Sequence, residues 1–187
     1  SICPSDFPLR RMEAKSTTAG RPGVIEMGRA RLVIPDVEVL DQDGRRLRFY
    51  TDLIKGKVVV INFFFTSCTF VCPIQGRSLV KLGAELKGKL GQEVFFISVS
   101  KDPLTDTPER LKLWGRDYGV GPGWALVTGD EGVMRELVRG FTGASVGGQD
   151  HSPILVIGDD RAGRWAQAEG LAPANELVKT IDRVSAP

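Results

Sequence analysis

Val58-Val59-Val60-Ile61-Asn62-Phe63-Phe64-Phe65-Thr66-Ser67-Cys68-Thr69-Phe70-Val71-Cys72-Pro73 is the stretch on which the reading of this chain turns. Residues 58–65 form a nearly unbroken run of β-branched and aromatic side chains, the pattern of a central strand buried on both faces. Two cysteines and a proline follow at once. Beyond them Leu79, Leu82, Leu86 and Leu90 recur at helical spacing, which predicts a helix from Pro73 to about Leu90. A buried strand thus runs into a helix across a cysteine pair.

Downstream, the same alternation repeats. Val94–Ser100 reads as a second buried strand. Thr107-Pro108-Glu109 starts a helix, with a capping hydroxyl, a proline in the first turn and an acid near the positive dipole end; Leu111, Trp114 and Tyr118 continue it. Ala125–Thr128 is a third strand, and Asp130–Gly140 a helix with Val133, Leu137 and Val138 on one face. Ile154–Ile157 is a fourth strand, turned by residues 159–163 into Arg164–Ala166. Pro173–Val184 closes the chain as a helix with Leu177, Val178, Ile181 and Val184 inward. Upstream, Val33–Leu40 and Leu47–Tyr50 flank Asp41-Gln42-Asp43-Gly44, where Asp-Gly suits a positive-φ hairpin turn. Strands alternating with helices predict an α/β domain with a sheet covered on both faces. The closing hairpin and helix are the ending of a thioredoxin-like fold: a central mixed sheet flanked by helices, here with an N-terminal β-hairpin extension. That domain is expected over 31–187. Residues 1–30, broken by Pro4, Pro8, Gly20, Pro22 and Gly23, read as an arm or tether with Phe7 and Ile25 as packing points.

The composition fits one soluble globular domain: 187 residues, 42% hydrophobic and 26% charged. A net charge of +2 gives no broad nucleic-acid footprint. The single histidine excludes the HExxH zinc helix, and no GxGxxG or GxxxxGK[ST] stretch supports nucleotide phosphates. Three cysteines are too few for a disulfide-stapled miniprotein. No apolar run approaches the roughly 20 residues of a membrane span. The chain opens at Ser1 with no leader pattern, which fits either a chain trimmed of its leader or anchor or a mature processed one.

The cysteine pair carries the chemistry. If 68–72 were helical, Cys68 and Cys72 would share a face with Cβ atoms about 5–6 Å apart. That is slightly wide for a disulfide, at about 3.5–4.5 Å, and comfortable for two thiolates on one soft metal ion. Free N–H groups at the helix start favour a thiolate, expected at Cys72. Cys3 has no partner spacing and reads as a spare thiol, with intermolecular pairing or a lipid-type anchor as alternatives.

His151 lies in Gly147-Gly148-Gln149-Asp150-His151-Ser152-Pro153, just before the fourth strand. In a thioredoxin-like sheet the loop leading into that strand faces the start of the first long helix. His151 would then complete a Cys₂His set with Cys68 and Cys72, and Asp150 could orient its imidazole. Two thiolates and one imidazole suit copper as Cu(I) or Cu(II). A fourth oxygen from Asp102 would make a zinc set instead. Asp102 and Asp106 otherwise serve as turn and capping residues after the second strand.

At these residues the sequence resembles the Sco/SenC family, copper-binding thioredoxin-fold proteins of cytochrome c oxidase assembly. The matching segments are VVINFFFTSCTFVCP (59–73), ISVSKDPLTDTPE (97–109), WALVTG (124–129) and DHSPILVI (150–157). The resemblance implies a Cu(I)/Cu(II) site at Cys68, Cys72 and His151, with Asp102 at the family's Asp-Pro position. It also implies an N-terminal membrane anchor, and a periplasmic placement or, in a eukaryote, the mitochondrial intermembrane space. Many family members carry proline and an acid between the cysteines, where this chain has Thr69 and Phe70. Three functions are compatible. A metallochaperone would hand copper to the copper subunit of cytochrome c oxidase or to another copper or thiol redox protein. A thiol–disulfide oxidoreductase would use Cys68 and Cys72 as its catalytic pair. A copper sensor would need the same ligands. Phe70, between the cysteines, is a candidate docking contact.

Overall fold

The computed structural model describes residues 19–27, 30–146 and 153–187. Two hairpins come first, β1 (Val24–Met27) with β2 (Ala30–Val33), and β3 (Glu38–Asp41) with β4 (Arg46–Arg48). A short helix, α1 (Phe49–Leu53), leads into β5 (Val58–Phe64), α2 (Val71–Glu85), β6 (Val94–Ser100) and α3 (Pro108–Tyr118). Then come β7 (Trp124–Thr128), α4 (Glu131–Val146), β8 (Ile154–Asp159), β9 (Arg164–Glu169) and α5 (Ala174–Ser185).

The main sheet has the order β4-β3-β7-β6-β5-β8-β9. Its centre is parallel, β5 with β6 and β6 with β7, and β8 and β9 add antiparallel on the far side of β5. This is the thioredoxin-like arrangement, with the extra two-stranded sheet β1-β2 at the N-terminal end. Alternation along β5 divides the core. Val58, Val60 and Phe64 pack under α2, α3 and α5 with Leu79, Leu82, Leu111 and Leu177. Val59, Ile61 and Phe63 face the other way, onto Met134, Leu137 and Phe141 of α4 and onto Phe49 and Ile25. Every residue of β5 is buried, as a strand covered on both faces requires.

Several boundaries differ from the sequence expectation, each for a local reason. The strand expected at Val33–Leu40 is split, with Val33 ending β2 and Glu38 opening β3; Pro35, which offers no N–H to a ladder, lies between. Tyr50 is helical, not extended: Asp52 accepts the Arg48 N–H at 2.6 Å and Asp36 the Thr51 N–H at 2.9 Å, closing a turn. Helix α2 stops at Glu85, because Lys87 and Gly88 take positive φ (51° and 88°). Helix α4 runs through Gly140, where β2 approaches closely enough that an added Cβ would meet Leu32 at 3.3 Å. The hairpin turn is as expected, with Gly44 at φ 75°.

Two side chains fasten the edges. Gln42, past the end of β3, spans to β7: its Nε2 donates to the Trp124 carbonyl at 3.0 Å and its Oε1 accepts the Leu126 N–H at 2.9 Å. Asp160 is buried after β8 and accepts from Gly23 N–H (2.8 Å), Tyr50 O–H (2.8 Å) and Gly56 N–H (3.0 Å). It ties the stretch before β1 to the domain. Ile25 is buried in the core, whereas Cys3 and Phe7 lie outside the described residues.

Candidate metal centre

Helix α2 begins without an ordinary cap. Phe70 at the N-cap position offers no side-chain acceptor, so the first N–H groups need another partner. The sulfur of Cys68 supplies it: the Cys72 N–H donates to Cys68 Sγ at 3.4 Å. The preceding turn is closed by Cys68 N–H donating to the Phe65 carbonyl at 3.2 Å. Both cysteines are free thiols, Cys68 half-buried and Cys72 buried in the core beneath α2.

This arrangement separates the two thiols, and it reverses the expectation that Cys72 would be the thiolate. Burial disfavours charge at Cys68, but the Cys72 thiol and the N–H groups of Cys72, Phe70 and Val71 outweigh it and bring its pKa below the ordinary thiol value. Burial first, and then donation to Cys68, push Cys72 up to about 11. The physical reason is where the helix starts. Because Val71 is its first residue, the open N–H groups point back at residue 68, while Cys72 already sits on the buried face.

The loop before the cysteines is held from below by a residue whose role the sequence did not reveal. Asp106 is fully buried and accepts from the Thr66 N–H at 3.2 Å, the Thr66 hydroxyl and the Ser100 hydroxyl at 2.7 Å. Arg110 Nε donates to Thr66 Oγ1 at 3.4 Å from above. Lys101 N–H donates to the Phe64 carbonyl at 2.8 Å, and its ammonium lies 5.4 Å from the centre of the Phe65 ring. The strand end carrying Cys68 is thus fixed to the strand end beside it. Asp102 uses its backbone carbonyl to accept Thr105 and Asp106 N–H, and it lines a 310 Å³ pocket with Leu104, Glu131 and Arg135. Phe70 and Leu104 stand out from this edge, 77% and 74% exposed.

His151 and Asp150 lie outside the described residues. The strand after them is well placed, however. Antiparallel pairing of Asn62 with Leu155 sets the start of β8 at the end of β5, the edge that bears the cysteines. Among the described residues no three His, Cys, Asp or Glu side chains group as a metal site. Two soft sulfurs four residues apart, one with its pKa below the ordinary thiol value, suit a soft monovalent ion such as Cu(I). Gln75, one turn beyond Cys72 on the same buried face, is a second residue passed over in the sequence. The signal was there: a polar side chain in line with Cys72, Leu79 and Leu82.

The family model described as SCO1/SenC matches residues 26–157. The chain belongs to the SCO1/SenC family. A Stutzerimonas stutzeri protein provisionally described as copper-binding is 30% identical over 106 residues, which are 57% of this chain and 48% of that protein. The chain spans about half the length of the curated relatives it matches. Among solved structures, a SCO1/SenC family lipoprotein from Bacillus anthracis str. Ames is similar at TM-score 0.67 and 28% identity, covering 80% of this chain and 92% of its own. BsSco, a Sco family cytochrome c oxidase assembly protein with a disulfide switch, shares the fold at TM-score 0.67 and 22% identity, over 91% of this chain and 99% of its own. Among the described residues of this SCO1/SenC chain, no helix is long and apolar enough to cross a membrane.

Proposed function

We propose that this chain is a copper metallochaperone in which Cys68 and Cys72 bind Cu(I) as thiolates and His151 joins them for Cu(II). Copper then passes by ligand exchange to the copper subunit of cytochrome c oxidase, or to another copper or thiol redox protein. The observation that carries this reading is the pair of free sulfurs where the loop at Cys68 enters the first turn of α2 at Cys72, at the sheet edge where β8 starts. Soft thiolates favour Cu(I), and an imidazole extends the set to Cu(II). Asp150 orients the imidazole, and Asp102 is a further oxygen on the same edge. Family membership and the copper-binding relative support the assignment. The lipoprotein neighbour supports a membrane-associated, extracytoplasmic placement; we assign the periplasmic side of a bacterial inner membrane, or the mitochondrial intermembrane space in a eukaryote, reached through an N-terminal anchor. Anaerobic titration should give one Cu(I) per chain, lost in Cys68→Ala and in Cys72→Ala, and a Cu(II) spectrum that changes in His151→Ala. Stoichiometric binding that survives both cysteine substitutions would sink the proposal.

The asymmetry of the two thiols favours a second reading, thiol–disulfide exchange. The Cys68 thiolate attacks a partner disulfide, forming a mixed disulfide and releasing one partner thiol. Cys72, deprotonated, then attacks the Cys68 sulfur and releases the second partner thiol. Two electrons pass to the partner and a Cys68–Cys72 disulfide remains. Rapid reduction of a protein disulfide by the metal-free chain supports this reading, and absence of exchange removes it.

A further inference from the structure

One tripeptide occurs twice in the chain. Lys55-Gly56-Lys57 precedes β5 and Lys87-Gly88-Lys89 follows α2, and in each the glycine takes a positive φ, 73° and 88°. The fold brings both turns to one end of the sheet. Strands β5 and β6 run parallel from Val58 and Val94, and the Lys89 carbonyl accepts the Glu93 and Val94 N–H groups at 2.8 and 3.1 Å. Lys57 and Lys89 line one cleft of 490 Å³ with Arg161, which is itself paired with Asp159 at 3.1 Å. Lys55, Lys87 and Lys89 are exposed and Lys57 is half-buried. Among the described residues none of the four lysines is ion-paired. Lys57 Nζ meets only neutral groups: it donates to the Asp52 carbonyl at 2.6 Å and lies 5.2 Å from the centre of the Phe95 ring. The unpaired carboxylates that line the cleft or close α2 are Glu93, Asp182 and Glu85. Asp52 is turned to the Arg48 N–H. With Arg21 the cations outnumber them, so this end carries a net positive charge.

The N-terminal stretch joins the domain at this same end. Gly20 N–H donates to the Ala162 carbonyl at 2.9 Å, and a Cβ added to Gly163 would lie 2.2 Å from the Gly20 carbonyl carbon, so the two backbones touch. Asp160, which accepts the Gly23 and Gly56 N–H groups, donates its own N–H to the Lys57 carbonyl at 3.0 Å. The chain before residue 19 therefore meets the domain beside Lys55 and Lys57. The cysteines lie at the opposite end. Helix α2 starts beside them at Val71 and stops at Glu85, about 22 Å away at 1.5 Å per residue.

We propose that the two lysine turns form a docking surface for an anionic lipid bilayer, on which the domain stands with its cysteine edge turned outward to partners. This rests on the membrane-associated placement above, to which it adds the face that meets the membrane, and it is independent of the copper reading. The point where the N-terminal stretch joins selects a bilayer as the occupant: a tether held in lipid draws this end of the sheet, and not the cysteine end, toward the surface. Anionic headgroups then supply the counter-charges that the lysines lack within the fold, each worth about fivefold in affinity near the surface. Phe70 and Leu104, exposed at the cysteine end, stay clear of the lipid.

The test is co-sedimentation of the purified chain with vesicles of phosphatidylcholine alone and of phosphatidylcholine with phosphatidylglycerol, at low ionic strength, where surface charge is least screened. Binding is expected to the anionic vesicles only. It should weaken about twentyfold in Lys87→Gln/Lys89→Gln, by a similar factor in Lys55→Gln/Lys57→Gln, and vanish when all four are replaced. Cu(I) titration should be unchanged in every variant, since the four lysines stand at the far end of α2 from the cysteines. On the anionic vesicles, hydrogen exchange of the wild-type chain should slow at 55–57 and 87–92 and stay the same at 66–71. Absence of binding to the anionic vesicles, equal binding to the neutral ones, or protection at 66–71 overturns the proposal. Tighter binding to duplex DNA than to the anionic vesicles overturns it in favour of a nucleic acid. Retention of the cell-expressed chain with membranes in high salt tests the N-terminal anchor separately, because salt removes only the lysine contribution. Release there refutes the anchor, while the vesicle result still decides the lysine surface.

Discussion

Two buried aspartates sit in different parts of the fold and do the same kind of work. Asp106 collects Thr66 and Ser100 donors under the cysteine loop. Asp160 collects Gly23, Tyr50 and Gly56 donors where the first hairpin meets the domain. Both turn a loop into a fixed point by accepting several neutral donors on one carboxylate, which is stronger per bond than neutral pairing. They differ in what they fix. Asp160 joins the N-terminal hairpin to the domain, a matter of stability. Asp106 fixes Thr66, two residues before Cys68, a matter of the site.

The largest effect that bears on this contrast is at the cysteines themselves. Cys68→Ala should abolish stoichiometric Cu(I) binding and leave the unfolding transition nearly in place, because Cys68 is half-buried. Titration with a chromophoric Cu(I) chelator and thermal melts check both halves. Next, Asp106→Asn and Asp160→Asn should each cost about 2–3 kcal/mol of stability, the scale for losing hydrogen bonds to a charged group. Only Asp106→Asn should also lower Cu(I) affinity, by about tenfold, as the loss of outer support for a ligand does. Equal copper affinities in the two variants would erase the distinction drawn here.

A pH series sharpens it further. The Cys68 pKa is lowered, so its alkylation by iodoacetamide should rise at lower pH than for an ordinary thiol, and Asp106→Asn should shift that profile while Asp160→Asn should not. Cys72 should react only near pH 11. Its sign in stability follows. Below an unfolded value of about 9 both states hold the proton and its contribution is fully present; from there to about 11 only the folded state holds it, so stability falls as pH rises. For Cys68 the direction is opposite: its contribution is present above the unfolded value and lost as pH falls through the folded one. Denaturant midpoints for wild type and Cys72→Ser across that range test it. The smallest effect belongs to Phe70→Ala, which should leave copper binding unchanged and stability within about 0.5 kcal/mol, because the ring is 77% exposed. If Phe70 docks a partner, partner binding alone weakens.

The fold was legible because its signals are local. The run 58–65 alternates between two cores, and Thr107 caps α3 by accepting Arg110 N–H at 3.3 Å, as its sequence predicts. The cysteine pair was legible for the same reason. What escaped was set by groups far apart in sequence or by a shift of a turn. Asp106 looked like a turn residue because Thr66, its partner, is 40 positions away. Which thiol faces the helix amides depends on whether the helix begins at Val71 or Pro73, and Pro73 fits the first turn either way. Gln75 gave a period signal, but its partner Asn62, on β5, and its neighbour Gly170, after β9, are brought near only by the folded sheet.

The Gln42 bridge has a consequence for how the molecule behaves in a crowd. Strand β3 pairs with β7 through only Leu40 and Asp41, so the backbone groups of Trp124 and Leu126 would stand open as a template for a foreign strand. A side-chain amide occupies both, imitating the strand that is not there. That stretch of β7 is thereby closed to a foreign strand although β3 is too short to cover it.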